Sequence, residues 1–95
     1  SLVLPKAKAD HVYHIYPVLT EYRDELQRYL LQQGIQTQIH YPLAPHQQKA
    51  YNEWHALHFP ITEKIAAQEL SIPCNQSMTD EDVLKIIDAL NAWKP

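Results

Sequence analysis

The apolar and polar positions divide the chain into short extended runs and amphipathic helices. Residues 11–19 read as a strand, rich in aromatic and β-branched side chains. A period of two sets Val12, His14, Tyr16 and Val18 on one face, with His11, Tyr13, Ile15 and Leu19 on the other. Both faces are partly apolar, and Pro17, with no N–H to donate, predicts an unpaired or bulged edge. Residues 20–33 switch to helical spacing: Tyr22, Leu26, Tyr29, Leu30 and Gln33 share a face, with Asp24, Glu25 and Arg28 elsewhere. Thr20 suits the N-cap, and Gly34 suits the left-handed position past the last turn. Residues 35–41 alternate again, with Ile35, Thr37, Ile39 and Tyr41 opposed to Gln36, Gln38 and His40. Pro42 then stops any ladder.

Beyond that break, residues 45–55 predict a short helix with Ala50, Tyr51 and Trp54 apolar, followed by a loop over 56–59. Residues 62–70 predict a second helix, capped by Thr62, with Ile65, Ala66 and Leu70 inward. Residues 71–74 form a short extended piece beside Pro73. Residues 79–93 carry the strongest helical pattern. Thr79 and Asp82 are spaced as a capping box, and Val83, Ile86, Ile87, Leu90 and Trp93 make the expected buried stripe. Residues 2–10 read as a lead-in strand or linker. The architecture predicted is a small α+β domain, a few-stranded sheet with helices mainly on one face and the strand order left open.

Composition narrows the class. The 95 residues are enough for one small domain, 1–95. Hydrophobic residues make up 45%, with two Trp and six Tyr, which supports a packed core over disorder. The net charge of −3 gives no basic footprint for nucleic acid or an anionic membrane surface. No apolar run is long enough to span a bilayer. The one cysteine, Cys74, excludes an internal disulfide, fits a reducing cytoplasm and reads as a small buried apolar residue. Trp54 and Trp93 read as core or domain-interface packing.

The candidate chemistry gathers in TQIHYPLAPHQQKAY, residues 37–51, where regular structure breaks. His40 and Tyr41 have two readings. One is a strand end with a half-buried histidine and a core tyrosine. The other is a pair of neutral donor–acceptor groups suited to sugar hydroxyls. His46 is either a residue of a helix start or a contact near phosphates, aided by the positive helix end. His14 is either a satisfied packing histidine or a cleft residue beside His40. Six histidines also raise a metal reading, since His11/His14 and His55/His58 share a spacing. That spacing on a strand sends the side chains to opposite faces, with no Cys or carboxylate in step, so no metal site is expected.

IHYP followed by PHQQ, with HVYHIY before and FPITEKIAAQELSIPC after, resembles the C-terminal part of the DegT/DnrJ/EryC1/StrS-type sugar aminotransferases. The likeness runs from about Leu4 to Trp93. The IHYP/PH version is most similar to members acting at C3 of dTDP-linked 3-keto-6-deoxyhexoses. The resemblance implies the small C-terminal domain of a pyridoxal-phosphate enzyme of the aspartate-aminotransferase-like fold. The parent would move an amino group, with glutamate the expected donor, to the keto sugar of a nucleotide sugar. It implies a cytoplasmic homodimer, a large cofactor-binding domain earlier in the same chain, and His40, Tyr41, His46 and His14 on the substrate side. The family's Schiff-base lysine and its serine-containing motif have no counterpart here. Lys6, Lys8, Lys49, Lys64, Lys85 and Lys94 all sit in polar contexts, and a single glycine is poor material for a phosphate cradle. The chain alone is therefore expected to be inactive and not to bind the cofactor. A family arginine late in the first strand is replaced by Leu19-Thr20. The other reading is a stand-alone α+β binding or regulatory module. The two differ in that a fragment should expose an apolar patch where a large domain packs.

Overall fold

The computed structural model describes residues 2–7, 9–10 and 12–95. Two four-residue strands, β1 (Tyr16–Leu19) and β2 (Glu69–Ile72), pair antiparallel, with Tyr16 opposite Ile72 and Val18 opposite Leu70. Val18 and Leu70 are fully buried. Single bridges extend the sheet on both sides. Leu19 exchanges backbone bonds with Val3 (2.9 and 3.0 Å), and Ser71 does so with Gln38 (2.7 and 3.1 Å). Pro17 lies opposite Ser71 in a pair that exchanges no ladder bonds, so its missing N–H faces the outer side of β1, where Val3 bridges only Leu19. The proline sits on the open edge its chemistry predicts.

The strands are shorter than the alternation predicts. β1 starts only at Tyr16, because the chain bends before it: Tyr13 has φ 48°, and Val12 is 88% exposed. His11 lies outside the described residues. The strand expected over 35–41 is reduced to the Gln38 bridge.

Helix α1 (Arg23–Gln32) begins three residues later than its pattern. Thr20 is buried and is not the N-cap. Its Oγ1 accepts the Tyr22 N–H at 3.1 Å and orders the turn before the helix. The other end is as the glycine predicts. Gly34, at φ +78°, donates to the Leu31 carbonyl (3.0 Å), and the Ile35 N–H donates to Leu30 (2.8 Å). This pair of bonds caps the orphan carbonyls, while Ile35 and Leu30 join the core cluster.

Helix α2 (Pro60–Gln68) starts earlier than expected, with Pro60 at its first position. Glu63 Oε2 accepts the Phe59 N–H at 2.6 Å, so Thr62 is inside the helix and not its cap. The helix stops at Gln68 because Glu69 and Leu70 belong to β2. Ala66 is buried, but Ile65 is 41% exposed.

Helix α3 (Asp80–Ala92) has the predicted capping box: Thr79 Oγ1 accepts the Asp82 N–H (3.1 Å), and Asp82 Oδ2 accepts the Thr79 N–H (3.0 Å). Its buried stripe is rotated from the expected one. Ile86 and Ala89 are buried, Leu90 and Trp93 pack at the margin, and Val83 and Ile87 are over 40% exposed. Across from this stripe, Tyr29 of α1 donates its hydroxyl to the Ala89 carbonyl at 2.8 Å. Val18, Leu26, Leu30, Ile35, Leu70, Ile86 and Ala89 form one cluster between the sheet and helices α1 and α3. Arg23 Nη1 ties α1 to the Ala66 carbonyl of α2 at 2.7 Å. The molecule is a small α+β domain, with α1 and α3 sharing one face of the sheet.

Candidate functional site

β2 alternates. Leu70 and Ile72 turn to the core, so Glu69 and Ser71 turn to the opposite face. Both are nonetheless buried, at 3% and 6% exposure. A carboxylate that deep must be hydrogen-bonded. Glu69 Oε1 accepts the backbone N–H of His40 at 2.7 Å, and Oε2 accepts the Ser71 hydroxyl at 2.6 Å. This explains the short bridge. Past Gln38, the His40 N–H goes to a side chain instead of the β2 main chain, and the extended run ends there. The Ser71 Oγ in turn lies 2.8 Å from His40 Nδ1. One buried carboxylate thus anchors His40 at its backbone directly and at its ring through Ser71.

His40 and Ser71 line an open groove of about 920 Å³. The segment after α1, the end of β2 and the start of α3 form its walls, and Arg28, Asp82 and Lys85 add charged groups. His14 lines the same groove as His40 and is exposed. Tyr41 is not part of this lining. It is 68% exposed, with its ring edge-on to His40 at 5.4 Å and the peptide bond between the two residues cis. Cys74, half-buried at the groove, donates its thiol to the Tyr13 carbonyl at 3.3 Å.

His46 lies elsewhere. It is 5% exposed and packs edge-to-face on Phe59 at 4.9 Å. Its Nε2 is 3.4 Å from Glu63 Oε2 but makes no hydrogen bond. The helix expected over 45–55 is instead two 3₁₀ turns, Pro45–Gln47 and Lys49–Trp54, with non-helical backbone at Tyr51 (φ −121°, ψ 44°). The anion-attracting helix end expected behind His46 is therefore not built. Tyr51 and Trp54 stack face to face at 4.9 Å, and Trp54 is 45% exposed rather than core. Among the described residues, no three His, Cys, Asp or Glu side chains converge as metal ligands. Between residues 41 and 61 the chain exposes Tyr41, Leu43, Trp54, Leu57, Phe59 and Ile61, each by 45% or more.

Glu69 and Ser71 are the site residues that the sequence pattern missed. Glu69 sits at the end of a helical pattern, where it passes for a solvated residue of the last turn. The available signal was the period of two in Glu69-Leu70-Ser71-Ile72, which competes with the helical spacing before it.

A two-stranded sheet backed by helices, with His40 held over an open groove, makes up a small α+β domain. The chain belongs to the DegT/DnrJ/EryC1/StrS aminotransferase family, which matches residues 1–91. It is 43% identical over 83 residues to the dTDP-3-amino-3,6-dideoxy-alpha-D-galactopyranose transaminase of Aneurinibacillus thermoaerophilus, covering 87% of this chain and 23% of that protein. It is 37% identical over 86 residues to the dTDP-3-amino-3,4,6-trideoxy-alpha-D-glucose transaminase of Streptomyces venezuelae, covering 88% of this chain and 23% of that protein. Among solved structures, S. venezuelae DesV superposes with a TM-score of 0.89 at 35% identity, over 97% of this chain and 26% of that one. NtdA of Bacillus subtilis, with bound cofactor PMP, superposes with a TM-score of 0.84 at 30% identity, over 95% and 22%. The chain spans about a quarter of the length of these relatives.

Proposed function

We propose that the chain is the C-terminal, substrate-side domain of a nucleotide-sugar aminotransferase. The complete protein transfers an amino group from an amino acid, with glutamate the expected donor, to the keto carbon of a dTDP-linked 3-keto-6-deoxyhexose. The observation that carries this reading is the family match over residues 1–91, joined to relatives named for dTDP-sugar amination. The geometry supports it through His40, a neutral donor–acceptor group fixed at the edge of an open groove. Tyr41, edge-on to His40, and His14, on the same groove, are the further sugar-facing groups in this reading. His46 supports the 42–63 segment from within.

Pyridoxal phosphate, when bound, supplies the electron sink for amino transfer. The described residues do not fit it. Lys6, Lys49, Lys64, Lys85 and Lys94 are all exposed, and a cofactor lysine needs a buried or cation-flanked amine. The cofactor belongs to the rest of the protein, which packs on the exposed apolar side chains of residues 41–61. The parent is a cytoplasmic homodimer in this reading.

The test uses the complete polypeptide that carries these residues, given glutamate and the dTDP-linked 3-keto sugar. The expected result is the 3-amino sugar, with His40→Ala plus Tyr41→Phe lowering kcat/KM for the sugar. A cofactor-loaded protein with no amino transfer to any nucleotide-linked keto sugar would remove the reading.

A further inference from the structure

We propose that Glu69 and Ser71 are positioning residues that fix His40 as its Nδ1–H tautomer, so that Nε2 accepts a hydrogen bond from a substrate hydroxyl. The argument is a count of protons. A carboxylate only accepts. Glu69 therefore takes both bonds it makes, from the His40 N–H at 2.7 Å and from the Ser71 hydroxyl at 2.6 Å. The one Ser71 proton is then committed to Glu69. Toward His40 Nδ1, at 2.8 Å, Ser71 Oγ has only lone pairs to offer. The proton in that contact belongs to the imidazole. A neutral ring protonated at Nδ1 carries its lone pair at Nε2. Among the described residues nothing bonds to His40 Nε2, and His40 lines the groove.

Burial makes the arrangement directional. Glu69 and Ser71 are 3% and 6% exposed, so water does not compete for their bonds. The same carboxylate also holds the His40 backbone, which fixes the ring's origin as well as its orientation. An acceptor at Nε2 discriminates chemically. It takes a hydrogen bond from a hydroxyl but none from a keto oxygen. His40 thereby reads a hydroxyl of the sugar and not the carbon being aminated. The ligand's identity as a sugar rests on the aminotransferase reading, whereas the tautomer does not.

The test has two arms. Long-range ¹H–¹⁵N NMR on the histidine-labelled protein, at pH about 9 where an imidazole is neutral, reads which ring nitrogen is protonated. The His40 signal is assigned by its loss in His40→Gln. The expected signature is protonated Nδ1 and bare Nε2 in the unmodified protein. It should be lost in Ser71→Ala and kept in Ser71→Thr, which retains the hydroxyl. In the complete enzyme, Ser71→Ala should raise KM for the nucleotide sugar about 3- to 10-fold, the size of one hydrogen bond, with kcat within about twofold. Ser71→Thr should restore it. Protonated Nε2 in the unmodified protein, or an unchanged signature in Ser71→Ala, overturns the proposal. So does an unchanged KM in Ser71→Ala. An inactive complete protein with the Nδ1–H signature intact would instead overturn the aminotransferase reading and leave the positioning of His40 standing.

Discussion

The Tyr29 hydroxyl donates to the Ala89 carbonyl oxygen at 2.8 Å, a bond between residues 60 positions apart that fixes α1 against α3. Tyr29→Phe keeps the ring's packing and removes only this bond. The expected cost is about 1 kcal/mol of folding stability. In urea unfolding the midpoint should fall with the slope unchanged. An unshifted midpoint would mean that the bond does not hold the helix pair.

The rotation of α3 gives a paired test. Ile86 is 8% exposed and Ile87 is 45% exposed, although helical spacing alone places both on the buried stripe. Ile86→Ala should cost about 2–4 kcal/mol, as a buried isoleucine does. Ile87→Ala should cost less than about 1 kcal/mol, as half-exposed sites do. Comparable losses from both in the isolated chain would return the stripe to the position that the spacing implied.

Gly34 ends α1 at φ +78°, in the left-handed region. Gly34→Ala should lose about 1–2 kcal/mol, because a Cβ there crowds the following carbonyl. Space is the smaller effect. The added Cβ would lie 3.3 Å from Lys85 Nζ, the mobile end of an exposed side chain. Lys85→Ala should therefore not rescue Gly34→Ala, whereas Gly34→Asn should cost less, since asparagine tolerates this backbone. Thermal unfolding of the three variants separates backbone strain from crowding.

These features differ in how far the sequence discloses them. The helix ends are local, so Gly34 and the Thr79–Asp82 box can be read from neighbouring residues alone. The strands are four residues long, too short for alternation to fix their limits. Pro17 is more legible: its missing N–H predicts an edge, and it faces the outer side of β1, where only Leu19 is bridged. The site divides the same way. His40 stands at a visible break in the pattern. Glu69 does not, because its partners lie 29 residues away at His40 and two residues along a strand whose start reads as a helix tail.

His46 provides the sharpest separation between packing and recognition. It is 5% exposed, its ring meets Phe59 at 4.9 Å, and its buried Nε2 lacks a hydrogen bond. The polar atom beside it, Glu63 Oε2 at 3.4 Å, already accepts the Phe59 N–H, so Nε2 is poorly satisfied and an apolar side chain of similar size gives up little. His46→Leu is expected to leave the melting temperature unchanged or raised. His46→Ala, which empties the space against Phe59, should lose about 1–3 kcal/mol. Since His46 does not line the groove, His46→Leu should also leave KM for the sugar in the complete enzyme within about twofold. A His46→Leu protein that melts normally but loses sugar binding would make His46 a substrate contact after all, with the 42–63 segment rearranged around the bound ligand.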